Sequence, residues 1–232
     1  MSTNTMDGAS TTAVTVPTTG RKKIYLIRHA QSTYNASARK GYDPMLFDAR
    51  LSELGITQAE ELANNITKLP SIPQLIVSTP MSRALHTTKR GILEYAKCNN
   101  IPVMVSPLHH EFVRTSDDNG RPKSLVAKDY PEFDLSQLEE RWWWLPANIK
   151  DDFSIDTEEY FKTVGYQESE EHLMTRISKF KEWINQRPET VMVFVGHSDF
   201  FYHLFEKKLP YFKNCQIVEW YPDTMESVNI TN

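Results

Sequence analysis

Five short apolar runs punctuate the chain: IYLI (24–27), LIVS (75–78), VMVS (103–106), VMVFV (191–195) and QIVEW (216–220). They are rich in β-branched residues and lie between turn formers or charges, which predicts buried strands. A weaker run, SVNIT (227–231), predicts one more near the C-terminus. Between the runs the apolar period lengthens to that of a helix. ITQAEELANNITKL (56–69) sets Ile56, Ala59, Leu62, Ala63, Ile66 and Leu69 near one face. SRALHTTKRGILEYAKC (82–98) predicts a helix opened by a preceding proline, Pro80. ESEEHLMTRISKFKEWINQR (168–187) aligns Leu173, Ile177, Phe180 and Ile184. It opens on acids, which suit the positive end of a helix, and stops before Pro188.

Strands alternating with helices predict an α/β three-layer sandwich, a mostly parallel central sheet flanked by helices. The alternation lapses from about 112 to 165, where SDDNGRP, KDYPEFDL and RWWWLPAN supply turn residues, acids and three adjacent tryptophans. This predicts an excursion over one edge of the sheet and over the active site, where lids and substrate-reading loops are found. Trp142, Trp143 and Trp144 cannot all face one way, so at least one should anchor the excursion to the core. Residues 1–20 are rich in Thr and Ser and predict a flexible tail ahead of a single domain over 21–232.

Composition narrows the function classes. A length of 232 residues with 40% hydrophobic and 24% charged side chains suits one globular domain. A net charge of −4 carries no polyelectrolyte signal, so neither nucleic acid nor membrane is predicted as a partner. Cys98 and Cys215 form no C-x-x-C pair and no metal spacing, which predicts a reducing, cytoplasmic setting. Nothing in the pattern speaks to oligomeric state.

Ligands of such sheets bind beyond the carboxyl ends of the strands. After IYLI come Arg28 and His29, with Asn35 downstream; after LIVS comes TPMSR, ending on Arg83. After VMVS comes PLHHE, with His109, His110 and Glu111; after VMVFV comes GHSDF, with His197 and Ser198. Arginine forks bind phosphoryl oxygens. A neutral histidine can attack phosphorus and carry the phosphoryl group. A carboxylic acid can protonate the leaving oxygen and then deprotonate water. Backbone N–H groups at the helix start after GHS would face an anion. Such a set performs phosphoryl transfer with neither metal nor cofactor.

At these residues the sequence resembles the histidine phosphatase superfamily, which includes phosphoglycerate mutases and fructose-2,6-bisphosphatases. LIRHAQSTYN (26–35) resembles its Arg-His-Gly/Ala signature with the trailing Asn. LSELGITQAE (51–60), STPMSRALHT (78–87), the surroundings of Glu111 and VGHSDF (195–200) resemble its later motifs, in the family's order. The resemblance implies a phosphoglycerate mutase-like fold and a phosphomonoester substrate. It implies His29 as nucleophile, with Arg28, Arg83 and His197 on the phosphoryl group and Glu111 as general acid. Asn35 and Ser198 would contact substrate or order the loop. Asp117 and Asp118 are alternatives for the acid.

Ala30 and Asp199 stand where many members carry glycine, and the acid loop HHEFVRTSDDNGRPKS is nearer to the phosphatase members than to the mutases. Arg114, Arg121 and Lys123 are candidates for a second anionic group, and solvation is the alternative for each. Hydrolysis is therefore the leading expectation, with a mutase or a silent phosphate-binding module as the alternatives. A serine hydrolase is disfavoured, because GHSDF lacks the elbow's last glycine and no separate acid and histidine follow. A metal phosphatase is disfavoured for want of an H-x-H or a clustered Asp set.

Overall fold

A computed structural model describes residues 20–39 and 41–231. The tail predicted over 1–20 lies, Gly20 apart, outside the described residues. All six predicted runs are strands: β1 (Lys23–Arg28), β2 (Leu75–Ser78), β3 (Val103–Val105), β4 (Val191–Gly196), β5 (Ile217–Trp220) and β6 (Ser227–Asn229). They form one sheet in the order β3-β2-β4-β1-β5-β6. The four strands β3, β2, β4 and β1 are parallel. Strand β5 returns antiparallel to β1, and β6 antiparallel to β5. Parallel neighbours need long crossovers, and the helices supply them.

Alternate residues of the central strands face opposite layers. Tyr25, Ile27, Ile76 and Val193 join one core; Ile24, Leu26, Leu75 and Met192 join the other. The first core packs against α2 (Glu53–Ile66), α3 (Ser82–Gly91) and α4 (Leu93–Cys98). The second packs against α8 (Glu170–Gln186) and α9 (Ser198–Leu204). This is the predicted three-layer sandwich. A short α1 (Thr33–Ser37) follows β1.

Two helices differ from the expectation. The segment 82–98 is not one helix: it breaks at Ile92 (φ −132°, ψ −33°), giving α3 and α4. The break lies where α3 crosses α2 closely; a Cβ on Gly91 would stand 2.5 Å from the Ala59 carbonyl oxygen. Helix α2 begins at Glu53, ahead of Ile56, because Ser52 Oγ accepts the Gly55 N–H at 3.0 Å.

The excursion holds a 3₁₀ turn (Ser116–Asp118), α5 (Lys123–Asp129), α6 (Ala147–Lys150) and α7 (Thr157–Thr163). Val126, Tyr130, Leu138, Trp142, Trp143 and Ile149 bury in the first core. Trp142 and Trp143 are the anchors, and Trp142 Nε1 donates to the Arg121 carbonyl at 3.0 Å. Gly120 lets both rings close over the backbone, since a Cβ there would stand 2.5 Å from Trp142 and 2.8 Å from Trp143. Trp144 stays half-buried, beside the rings of Tyr166 and His172.

The start of α2 braces the loop after β1. Ser52 N–H donates to the Gln31 carbonyl at 3.0 Å, and Gln31 N–H donates to Gln58 Oε1 at 2.9 Å. Gly55 is required here, because a Cβ would meet the Gln31 carbonyl oxygen at 1.9 Å. Gly55→Ala is expected to cost about 1–3 kcal/mol. The check is a lowered urea midpoint at unchanged m-value.

Candidate active site

Strand pairing brings the predicted residues together. Arg28 ends β1 opposite Gly196, the last residue of β4, and the His29 N–H donates to the Gly196 carbonyl at 3.0 Å. His197 follows β4 directly, so the His29 and His197 rings lie 5.1 Å apart between centroids. Strand β2 flanks β4 on the other side, and the Thr79 N–H donates to the Val195 carbonyl at 3.1 Å. That register sets Thr79 Oγ1 2.8 Å from His197 Nε2. Arg83, in the first turn of α3, reaches back over the strand ends.

The tautomer of His29 follows from its partners. An arginine Nε–H can only donate, so His29 Nε2, 3.2 Å from Arg83 Nε, must accept. The proton sits on Nδ1, which donates to the Ala30 carbonyl at 2.7 Å. Asn214 Nδ2 fixes the His29 carbonyl at 2.8 Å. Burial first, then the Arg83 and Arg28 charges, hold the imidazole well below its usual pKa. The ring is thus neutral, with its lone pair on Nε2. His197 is also driven well below its usual range, by burial and then Arg83.

The two arginines are held differently. Arg83, 1% exposed, sends Nη1 to the Asp117 carbonyl and lies 3.4 Å from Asp118 Oδ1. Arg28 Nη1 donates to the Phe212 carbonyl at 2.6 Å, and its buried Nε has no partner among the described residues. His197 Nδ1 is likewise buried without a partner there. Both orphaned atoms belong to residues the sequence assigns to the phosphoryl group.

Glu111 is buried in the loop after β3. Its Oε1 accepts the N–H groups of Phe112 and Phe200, both at 2.9 Å, and its Oε2 accepts that of Asp199 at 3.2 Å. The backbone donors of α9 expected to face a phosphoryl anion therefore hold Glu111 instead. That expectation is corrected: a carboxylate already occupies the helix start. Burial, then the Asp199 charge, raise the Glu111 pKa to about 7, where one carboxyl can both give and take a proton.

Arg28, His29, Asn35, Arg83, Glu111 and Ser198 line one cavity of about 440 Å³; the predicted His197 is fully buried beside His29 and is not part of that lining. Tyr34, Arg114, Thr115, Gln167, Asp199 and Tyr211 complete its wall. Asn35 Oδ1 accepts the Ser32 N–H at 3.2 Å and Asn35 N–H returns to Ser32 Oγ, so Asn35 orders the loop. Ser198 Oγ donates to the Phe212 carbonyl at 3.3 Å. Asp117 and Asp118 also line the cavity, but both pair with Arg83, and Asp118 Oδ2 accepts the N–H groups of Arg114 and Thr115 at 3.0 Å. Of the three basic candidates, Arg114 reaches the cavity. Arg121 is bound to Asp48 and Asp129 outside it, and Lys123 opens α5 away from it.

His109 packs on Phe180 and shares a 3.1 Å contact with the Val195 carbonyl; burial brings it to about 3. His110 Nδ1 bonds the Glu111 carbonyl at 2.7 Å. Neither lines the cavity, and no group of three or more His, Cys, Asp or Glu among the described residues is placed to hold a metal ion. Sequence reasoning gave no role to Thr79 and Tyr34, although both lie inside quoted motifs, nor to Asn214, Gln167 and Tyr211, which lie in loops without period or motif.

The chain is 27% identical over 200 residues to "Phosphoglycerate mutase-like protein 1" of Arabidopsis thaliana, covering 78% of this chain and 70% of that one. It is 32% identical over 124 residues to a Schizosaccharomyces pombe protein named "Probable phosphatase", covering 51% and 54%. Its fold is similar to that of mycobacterial glucosyl-3-phosphoglycerate phosphatase (TM-score 0.54, 20% identity, covering 90% and 96%). It is also similar to that of alpha-ribazole phosphatase from Shigella flexneri (0.53, 16%, covering 85% and 89%). Residues 24–211 match the model of the histidine phosphatase superfamily, branch 1, and the chain belongs to that superfamily.

Proposed function

We propose that the protein hydrolyses phosphomonoesters through a phosphohistidine on His29, without a metal ion. One observation carries the reading: a neutral His29 with its lone pair fixed on Nε2, in a cavity lined by the buried Arg83 and the half-buried Arg28. Arg28 and His197 bind the phosphoryl oxygens. His29 Nε2 attacks phosphorus as the bond to the leaving oxygen breaks, and Glu111 protonates that oxygen. Ionised Glu111 then takes a proton from water, whose oxygen displaces Nε2 and releases inorganic phosphate. The guanidiniums supply the charge neutralisation that a metal supplies elsewhere. A phosphatase-named relative and the acid loop favour water as acceptor over a second hydroxyl. Two unpaired thiols, Cys98 and Cys215, fit a reducing compartment such as the cytoplasm.

The test is hydrolysis of 4-nitrophenyl phosphate with and without chelator. Wild type should release phosphate equally in both. His29→Ala should lose at least ~10³-fold in kcat; activity surviving in the variant would place the nucleophile elsewhere. Transfer to added glycerol in place of phosphate release would mark a phosphotransferase.

Glu111→Ala should slow alkyl phosphates far more than aryl ones, since only a poor leaving oxygen needs the proton. A leaving-group series measures the difference, and equal losses would remove Glu111 as the acid.

The raised pKa of Glu111 also sets a sign for stability. A carboxyl raised on folding contributes stability below its unfolded pKa and loses it as pH rises through the folded value, about 7. The urea midpoint of wild type should therefore decline relative to that of Glu111→Gln between pH 5 and 8. Parallel profiles would show that Glu111 titrates in its ordinary range.

A further inference from the structure

We propose that Arg176 and Glu168 are positioning residues for Glu111: a buried ion pair that clamps the backbone on both sides of the acid and holds its carboxyl at the start of α9. The inference rests on the reading of Glu111 as general acid.

The pair sits where charge is costly. Arg176 shares the inner face of α8 with Leu173, Ile177 and Phe180, and both its side chain and that of Glu168 are buried. Buried charge persists only when paired and hydrogen-bonded. Here the fork is bidentate: Arg176 Nε to Glu168 Oε1 at 3.1 Å, and Nη2 to Oε2 at 2.8 Å. A pair serving stability alone could stop there.

The remaining donors go to the acid loop. Arg176 Nη1 donates to the carbonyls of His110 at 2.7 Å and Leu108 at 3.2 Å, and Nη2 to that of Glu111 at 3.3 Å. Glu168 continues on the far side: its N–H donates to the Val113 carbonyl at 2.8 Å, and its Oε2 accepts the Val113 N–H at 3.3 Å. Four residues flanking or including Glu111 are thus tied to one ion pair. The loop from 107 to 113 has neither helix nor strand, so its shape is set by such bonds. The guanidinium also lies 5.3 Å over the Phe200 ring, and the Phe200 N–H holds Glu111 Oε1. One side chain therefore touches both the loop that carries the acid and the residue that receives it.

The test uses Arg176→Lys, which keeps charge but loses the planar fork, and Glu168→Gln, which keeps the shape but loses the charge. Kinetics on alkyl and aryl phosphates are compared with wild type, in variants shown by circular dichroism to be folded. Misplacing a catalytic group by about 1 Å costs on the order of 10²-fold. Alkyl phosphate kcat should fall by about that factor while aryl phosphate changes little, and the double variant should be no worse than the worse single one.

The second readout needs no turnover. The Glu111 carboxyl is titrated by carbon NMR in wild type and in each variant, with Arg28, Arg83, Asp118 and Asp199 as the charges facing it in all of them. A loosened loop admits water, so the titration should move down from about 7 in the variants. Equal losses on both substrates with an unmoved Glu111 titration would overturn the proposal and leave a structural pair. A wild type that hydrolyses no phosphomonoester would remove the phosphatase reading, while the titration still decides the clamp. Should Arg176→Lys not fold, Glu168→Gln carries the same comparison.

Discussion

The site depends on a guanidinium that cannot shed its charge. Arg83 is sealed from water at 1% exposure, and arginine stays protonated under any physiological condition. Its donors must find hydrogen-bond acceptors or negative charge. Its Nη groups take the Asp117 carbonyl and the Asp118 carboxylate, which fixes the 3₁₀ turn of the excursion at the cavity wall. Its Nε–H takes His29 Nε2, which fixes the tautomer and opposes a second positive charge on the ring. One buried cation thereby sets the tautomer of His29 and fastens the excursion to the strand ends.

Glu111 meets the opposite demand. A general acid must hold its proton in water near neutrality, yet release it on command. Burial and Asp199 push its pKa up, while three backbone N–H groups pull it down, and the balance falls at about 7. The start of the helix after His197 thus holds Glu111 through the N–H groups of Asp199 and Phe200, while Arg28 Nε and His197 Nδ1 remain buried and unengaged by the described residues.

Much of this was legible in the sequence. Four apolar runs, the parallel strands of the sheet, end on Arg28-His29, on the turn before Arg83, on the loop to Glu111 and on His197, and sheet geometry places such ends side by side. The break at Ile92 was hidden, since a 3.6-residue period continues through it; it follows Gly91, where α3 passes close to the Ala59 carbonyl of α2. The holders were hidden too. Thr79, Asn214, the Phe212 carbonyl and the Arg176–Glu168 pair act through single bonds between segments far apart in the chain. Arg176 even reads as a misplaced charge on an apolar stripe, and only the pairing explains it.

The two arginines next to the nucleophile divide the work of binding an anion. Arg83 already has its compensation in Asp117 and Asp118, so an incoming phosphoryl group adds little to its neutralisation. Arg28 has none: among the described residues no carboxylate lies within ion-pair distance, and one carbonyl at 2.6 Å is its bonded partner. Burial disfavours its charge, yet the charge persists. Half-buried on the cavity wall, with Glu111 and Asp199 as facing charges but no ion-pair partner among the described residues, Arg28 presents its guanidinium to any anion that enters. His29 follows Arg28 directly at the end of β1, and both line the same cavity, so the adjacency of arginine and histidine in the sequence sets a guanidinium and an imidazole together at one strand end.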